Sequence, residues 1–383
     1  MIQWLKTKEF LFLKAIALSI PMLLISFVII TYLDFSNTID TIAKLSFYFL
    51  INLFFFLSLY TKKIDRYRSI LFILIAISFT FSFITNLYHL RGHFMTLTFE
   101  EINSCEVPFC HIAIPQTLLS VILKREVIFP GAFTGFQYTI SVMFVIWIVV
   151  SLSLGRGWCS WVCFYGGWED GCSRICKKPR ITKIPEKLKY FPYAFLIAIM
   201  LFSTATMVPQ YCVWFCPFKS VSEFFEVTRP TIVLQTMIFI VLFISLVVVL
   251  PILTKKRIQC TYLCPFGAMQ SFTNKISPFQ VSIDLDQCVE CKVCMKACPT
   301  NSISEESLKL GKVTMTCVKC GKCIDQCPKK AINYTIRGTR IGNFLSQYLF
   351  LLIAYIVMAG FGGTFVFSTI RKILHLIIYG SLF

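Results

Sequence analysis

The stretch from Cys288 to Pro328 constrains this chain most. It reads Cys288-Val-Glu-Cys291-Lys-Val-Cys294-Met-Lys-Ala-Cys298-Pro299, then Cys317-Val-Lys-Cys320-Gly-Lys-Cys323-Ile-Asp-Gln-Cys327-Pro328. A C-x2-C-x2-C-x3-C-P run given twice is the spacing of two [4Fe-4S] clusters, in which the fourth Cys of each run ligates the other cluster. One expected ligand set is Cys288, Cys291, Cys294 and Cys327; the other is Cys317, Cys320, Cys323 and Cys298. Closely spaced thiolates wrap one cube, and the last ligand must come from across a pseudo-twofold axis. The Pro after the fourth Cys supplies a turn and removes an amide hydrogen. Zinc prefers two separated Cys pairs, which this double pattern does not offer.

The flanks repeat as well. Val281-Ser-Ile-Asp-Leu285 alternates like a short strand, and Lys312-Val-Thr-Met-Thr316 answers it one repeat later. Ala331 to Ile336 closes the second half as Ser302-Ile-Ser304 closes the first, so 281–336 is an internal duplication. The expectation is a ferredoxin-like α+β module within 277–340.

The rest of the chain has another character. Of its 383 residues, 56% are hydrophobic and the mean hydropathy is +0.72, the composition of a polytopic α-helical membrane protein. The net charge of +18 sits in short loops between apolar runs, where it serves the positive-inside rule. No aromatic-basic module interrupts the spans, so nucleic acid is not an expected partner. The 18 Cys do not mark a secreted disulfide scaffold, because most sit in iron–sulfur spacing. The N-terminus, Met1-Ile-Gln-Trp-Leu-Lys-Thr-Lys8, has a basic flank, but the apolar run after it is too long for a signal peptide and reads as a retained span.

About seven spans are expected, at 10–32, 45–60, 69–88, 138–154, 191–208, 231–253 and 344–367. Region 1–276 is then a transmembrane domain of about six spans, and 341–383 a C-terminal transmembrane segment. Basic clusters at Lys62–Arg68, Lys177–Lys189 and Lys255–Arg257 fall in alternate loops. They place the module on the cytoplasmic side of an inner membrane and the 89–137 loop outside. Arg371 and Lys372 conflict with an external C-terminus, for which a re-entrant turn at Gly360-Phe-Gly-Gly363 is the alternative.

Ten Cys remain as five close pairs: Cys105/Cys110, Cys159/Cys163, Cys172/Cys176, Cys212/Cys216 and Cys260/Cys264. Three resemble one another: Cys159-x3-Cys163-Phe-Tyr-Gly-Gly, Cys212-x3-Cys216-Pro-Phe-Lys-Ser and Cys260-x3-Cys264-Pro-Phe-Gly-Ala. On a helix, i and i+4 share a face, so each pair can present two thiolates together. One such pair could be ordinary buried Cys; five pairs call for a function.

Gly155-Arg-Gly-Trp-Cys159-Ser-Trp-Val-Cys163, with Cys260-Thr-Tyr-Leu-Cys264-Pro-Phe-Gly-Ala and the two-cluster module, resembles the NapH/NosR/CcoG group over about 138–336. The resemblance implies a membrane iron–sulfur protein that carries electrons between a quinol or cytoplasmic donor and an extracytoplasmic respiratory reductase. The alternative it implies is a CcoG-like factor that reduces metal during metalloenzyme assembly; thiolate pairs suit Cu(I). Phe164 stands where the family has Pro, and the Cys212 pair is extra. No C-x-x-C-H is present for covalent haem.

Four Cys is the ligand count of one [4Fe-4S] cluster. Cys159, Cys163, Cys260 and Cys264 are the first choice for an inner cluster, and Cys105, Cys110, Cys212 and Cys216 for an outer one, with disulfides the alternative for the outer four. Trp158, Trp161, Trp168 and Tyr165 could line a quinone site but fit an interfacial aromatic belt better. Glu169 and Asp170 fit solvated carboxylates or partners of Arg174 and Lys177. His89, His93 and His111 fit ordinary surface histidines. The expected partners are membrane lipid and redox proteins. A reporter fused after Arg340 is expected to be active on the cytoplasmic side only; activity outside the membrane would refute this topology.

Overall fold

The computed structural model describes residues 2–31, 38–91, 109–129, 132–134, 139–182, 184–222, 230–339 and 341–382. Cys105 and His93, together with the side chain of His89, lie outside the described residues. Among the described residues six helices are long and apolar enough to cross a membrane: Phe10–Ile30, Thr38–Thr61, Ile64–Thr85, Ile140–Trp161, Pro230–Thr254 and Asn343–Tyr379. The span expected at 191–208 is a shorter helix, Phe191–Thr206, of 16 residues. At about 1.5 Å per residue it falls short of a hydrocarbon core of about 30 Å. It ends at Met207 in a left-handed conformation, just before the turn that carries Cys212.

No re-entrant turn interrupts the C-terminal helix, which runs unbroken from Asn343 to Tyr379. The glycines expected to turn it serve close packing instead. A Cβ at Gly362 would stand 2.7 Å from Ile75, and one at Gly363 2.7 Å from Phe47. The helix therefore beds tightly against the second and third spans.

The iron–sulfur module closes with two antiparallel strands, β1 (Phe279–Ile283) and β2 (Ile332–Ile336), with Val281 opposite Tyr334. Phe279, Val281 and Ile283 are buried and Gln280 and Ser282 less so, the alternation of a half-buried strand. The Lys312 segment does not form the expected strand; it makes a single bridge to Ser282.

The module is bolted to the membrane domain by its backbone. Phe350 of the C-terminal helix stacks on Tyr334, with centroids 4.1 Å apart. Both Tyr334 Oη and Trp161 Nε1 donate to Lys319 O, at 2.8 and 3.0 Å. Lys256 Nζ donates to Cys298 O at 2.6 Å. Asp325, from the module, accepts from the amides of Ile64 and Asp65 at 2.9 and 2.8 Å. Those amides open the third span, so Asp325 is the N-cap of a helix far away in sequence. Beside it, buried Arg68 donates to Asp65 and Asp170 at 2.8 and 3.0 Å, and Arg174 bonds the same two carboxylates.

Replacing a capping carboxylate by Ala costs about 0.5–2 kcal/mol. Asp325→Ala is therefore expected to lower the module's resistance to proteolysis in detergent while leaving the spans folded. Unchanged cleavage at the 277–340 boundary would show that the cap does not hold the module.

Candidate functional site

The structure groups the module's eight cysteines into two hollows. Cys288, Cys291, Cys294 and Cys327 line the first, with Ile283, Leu308 and Ile332. Cys298, Cys317, Cys320 and Cys323 line the second, with Val281 and Ile303. The crossing of the fourth Cys follows from the module's internal twofold. The N–H of Ser302 donates to Cys298 Sγ at 3.2 Å, and that of Ala331 to Cys327 Sγ at 3.3 Å, four residues on in each case. Burial pushes the Cys317 thiol up to about 12 and the Cys320 thiol up to about 11. Burial also pushes the Lys319 amine down to about 7 while its Nζ donates to Leu154 O and Ser277 Oγ, both at 2.9 Å.

The three C-x3-C pairs that resemble one another do not lie on plain α-helical turns. Cys163 N–H donates to Trp158 O and Cys264 N–H to Gln259 O, both at 2.9 Å, five residues back. The Cys212 pair sits on a similar widened turn, Tyr211–Phe215. In all three the second Cys is extended: φ −69°, ψ 101° at Cys163; φ −79°, ψ 106° at Cys216; φ −82°, ψ 113° at Cys264. Pro favours this conformation in the residue before it, and Cys163 adopts it although Phe164 follows.

Cys159, Cys163, Cys260 and Cys264 are all buried around one centre. Burial pushes the Cys264 thiol up to about 12, and the nearby Cys159 adds to it. Burial likewise raises Cys163, whose neighbouring thiols are Cys159 and Cys264. The two loops cross. Arg257 Nη2 donates to Cys159 O at 2.7 Å and faces Cys260 Sγ at 3.3 Å; Arg156 Nη2 donates to Cys260 O at 3.2 Å. Each arginine precedes its own first Cys by three residues and reaches the carbonyl of the other loop's first Cys. Glu169 accepts from the amides of Gln259 and Cys260 at 2.6 and 3.0 Å. Burial pushes its carboxyl up to about 7, against the pull of Arg257. Gly166 and Gly267 make room for the crossing: a Cβ at Gly166 would lie 2.2 Å from Arg257 Nη2, and one at Gly267 2.7 Å from Cys260 O.

Two neighbours surround this centre. On the module side, Cys159 packs with Val318 and Cys320, joining it directly to the second hollow. On the other side stand Cys110, Cys212 and Cys216. Burial raises the Cys216 thiol, with Cys212 and Cys110 beside it, and Gln116 Nε2 lies 3.4 Å from Cys212 Sγ. The expected topology puts a bilayer between the two sets, and the structure does not. His111, next to Cys110, lies 3.2 Å from Cys163 Sγ. Gln259, next to Cys260, donates to the hydroxyl of Tyr211, next to Cys212, at 2.6 Å. Cys172 and Cys176 are half-buried on and just after the helix Phe164–Ile175, apart from these groups. Among the described residues no three His, Cys, Asp or Glu form a group that could hold one metal ion.

Several expectations change here. His111 is not a surface residue; it is 1% exposed and ringed by Trp158, Phe164, Tyr165 and Phe266. Trp158 and Trp161 are fully buried rather than part of an interfacial belt, and Tyr165 stacks on Phe218 at 4.6 Å. Trp168 is half-buried and donates to Thr80 Oγ1 at 3.2 Å. Glu169 and Asp170 are buried, not solvated, but Asp170 is a partner of Arg174 as expected, at 3.2 Å; against burial, Arg68 and Arg174 hold its carboxyl low. The roles of Arg156 and Arg257 were readable as the shared Arg-x2-Cys-x3-Cys spacing. Those of His111 and Gln116 had no such signal.

The comparisons with known proteins agree with this geometry. A family model described as a 4Fe-4S dicluster domain matches residues 280–328. A second, a 4Fe-4S binding domain, matches three times, at 136–182, 188–232 and 236–283, once for each C-x3-C pair on a widened turn. The putative electron transport protein YccM of Escherichia coli is 27% identical over 190 residues, 45% of this chain and 50% of that protein. The regulatory protein NosR of Stutzerimonas stutzeri is 24% identical over 42% of this chain and 23% of its own length. NirI of Paracoccus denitrificans is 27% identical over 42% and 24%. The chain is similar to the NosR/NapH-like membrane polyferredoxins. Its match spans about half the length of YccM and about a quarter of NosR and NirI. No solved structure matches. The family carries [4Fe-4S] clusters through these domains, and iron–sulfur electron transfer is the chemistry they supply.

Gly166→Ala sets a methyl against Arg257 and the Cys159 carbonyl, the kind of overpacking that costs about 1–3 kcal/mol. The expected outcome is lower thermal stability in detergent and less iron per chain, with the soluble module's visible absorbance retained. Parental stability and iron would show that the loops can part at no cost.

Proposed function

We propose that this protein carries electrons from its ferredoxin-like module into the membrane domain through a chain of iron–sulfur centres. The ligands are Cys288, Cys291, Cys294 and Cys327 for the first cluster, and Cys298, Cys317, Cys320 and Cys323 for the second. A third cluster is held by Cys159, Cys163, Cys260 and Cys264. Cys110, Cys212 and Cys216 belong to a further centre, to which the expectation from sequence adds Cys105.

The observation that carries this is the contact of Cys320 with Cys159 across Val318. It sets a ligand of the second cluster in one buried apolar group with a ligand of the third. Fully buried Trp158 and Trp161 keep the same region dry. The first cluster is the entry or exit for a soluble partner, since Cys291 is exposed.

The basic loops support a cytoplasmic module in an inner membrane. The module meets Ile64, Leu154, Lys256 and Phe350, which are ends of four different spans. For the spans ending at Leu154 and Thr254 both to arrive at the module, the chain must return between them. The short helix Phe191–Thr206, with the Cys212 turn, supports a seventh crossing there. The donor is a quinol or cytoplasmic carrier and the acceptor an extracytoplasmic respiratory reductase.

Iron counting tests the assignment. Cys291→Ser and Cys320→Ser should each lose one cluster and loosen the module, because cluster binding and folding are coupled. Cys159→Ser/Cys264→Ser should lose a different cluster with the module intact. Parental iron and EPR spectra in the double variant would confine the protein to two clusters and end the membrane path.

A further inference from the structure

The membrane domain buries two cations beside the four central thiols. Arg156 is 1% exposed and Arg257 not exposed at all. A buried charge costs several kcal/mol unless it is paired. Arg156 has no carboxylate within ion-pairing distance among the described residues; its Nη1 donates to Ser271 Oγ at 2.8 Å and its Nη2 to Cys260 O. Among the described residues Arg257 has one carboxylate within ion-pairing distance, Glu169, with Nε to Oε2 at 4.0 Å, and that carboxyl is committed to the amides of Gln259 and Cys260; Asp170, farther off, also acts on Arg257 but is hydrogen-bonded to Arg68 and Arg174. Arg156 Nε, Arg257 Nε and Arg257 Nη1 are buried and make no hydrogen bond. Two guanidiniums with spare donors, placed by pseudosymmetry on either side of four thiols, are short of negative charge.

We propose that Arg156 and Arg257 are the built-in counter-charges of an anionic cluster held by Cys159, Cys163, Cys260 and Cys264, and that they raise its reduction potential. This rests on the assignment of a third cluster to those thiols. A cluster held by four thiolates is anionic, and an added electron makes it more so, so nearby cations stabilise the reduced form. The arginines are positioning residues: they act on the cluster's energy through charge and through the carbonyls they clamp. The Cys212 turn has Pro209 at the corresponding position and Lys219 in place of the glycine, so the paired arginines belong to the central site, while the Cys216 thiol has a buried lysine beside it instead.

The test uses the full chain, purified anaerobically in detergent, with iron and acid-labile sulfide counted and each EPR signal titrated against potential. In Arg257→Gln and Arg156→Gln one signal should move to lower potential by at least a tenfold change in the reduced-to-oxidised ratio, about 59 mV for one electron. The module's signals should stay in place. Arg257→Lys keeps the charge and should restore most of the shift, which a purely structural role would not do. Unchanged potentials in both Gln variants with full iron would overturn the proposal, as would an Arg257→Lys shift as large as that of Arg257→Gln. If Arg257→Gln does not fold, Arg156→Gln carries the test. Failure of the underlying assignment is read separately: Cys159→Ser/Cys264→Ser would then keep all the parent's iron, whatever the arginines do.

Discussion

A helix broken inside a protein strands backbone groups that water cannot reach, and each must find a partner. This chain breaks its helices at three cysteine turns. Around the two central ones the stranded groups are met by buried side chains: Arg257 on the Cys159 carbonyl, Arg156 on that of Cys260, Glu169 on the amides of Gln259 and Cys260. At the third, Gln116 Oε1 accepts from the Tyr211 amide at 2.8 Å. The charged and amide side chains that look out of place in an apolar domain are there because the turns are. The same groups then crowd the thiols, so satisfying the backbone and setting the electrostatics of the site are one arrangement.

The cysteine grammar was legible because ligand spacing is local: a cube's geometry dictates intervals that survive in one dimension. The spans were legible because hydrocarbon demands length and apolarity. His111 was not, since its meaning lies in a contact with Cys163, 52 residues on, and an isolated His in a loop carries no sign of burial. Trp158 and Trp161 read as interfacial because aromatic residues near span ends usually are; the docked module meets Trp161, and Trp158 packs among His111, Phe266 and Phe361, contacts that sequence does not reveal. Gly360 to Gly363 read as a turn because glycine permits one, whereas two of these glycines serve helix contact with Ile75 and Phe47.

The separation of the two thiol sets was misjudged for a related reason. Loop charge assigns sides of a membrane, not depth. Short helices such as Phe191–Thr206 let a segment that starts on one side bring its cysteines inward, until Tyr211 and His111 touch the central loops. Membrane proteins with short or broken helices defeat topology reasoning at the places where they do chemistry.

Asp325 caps the third span across 261 residues of sequence. Synthesis runs from the N-terminus, so the amides of Ile64 and Asp65 enter the membrane long before their cap exists. The cap lies between Cys323 and Cys327, in a segment whose fold is coupled to metal loading. The seat of an early helix is therefore completed late, by a carboxylate whose own position depends on the folding of the metal-binding module.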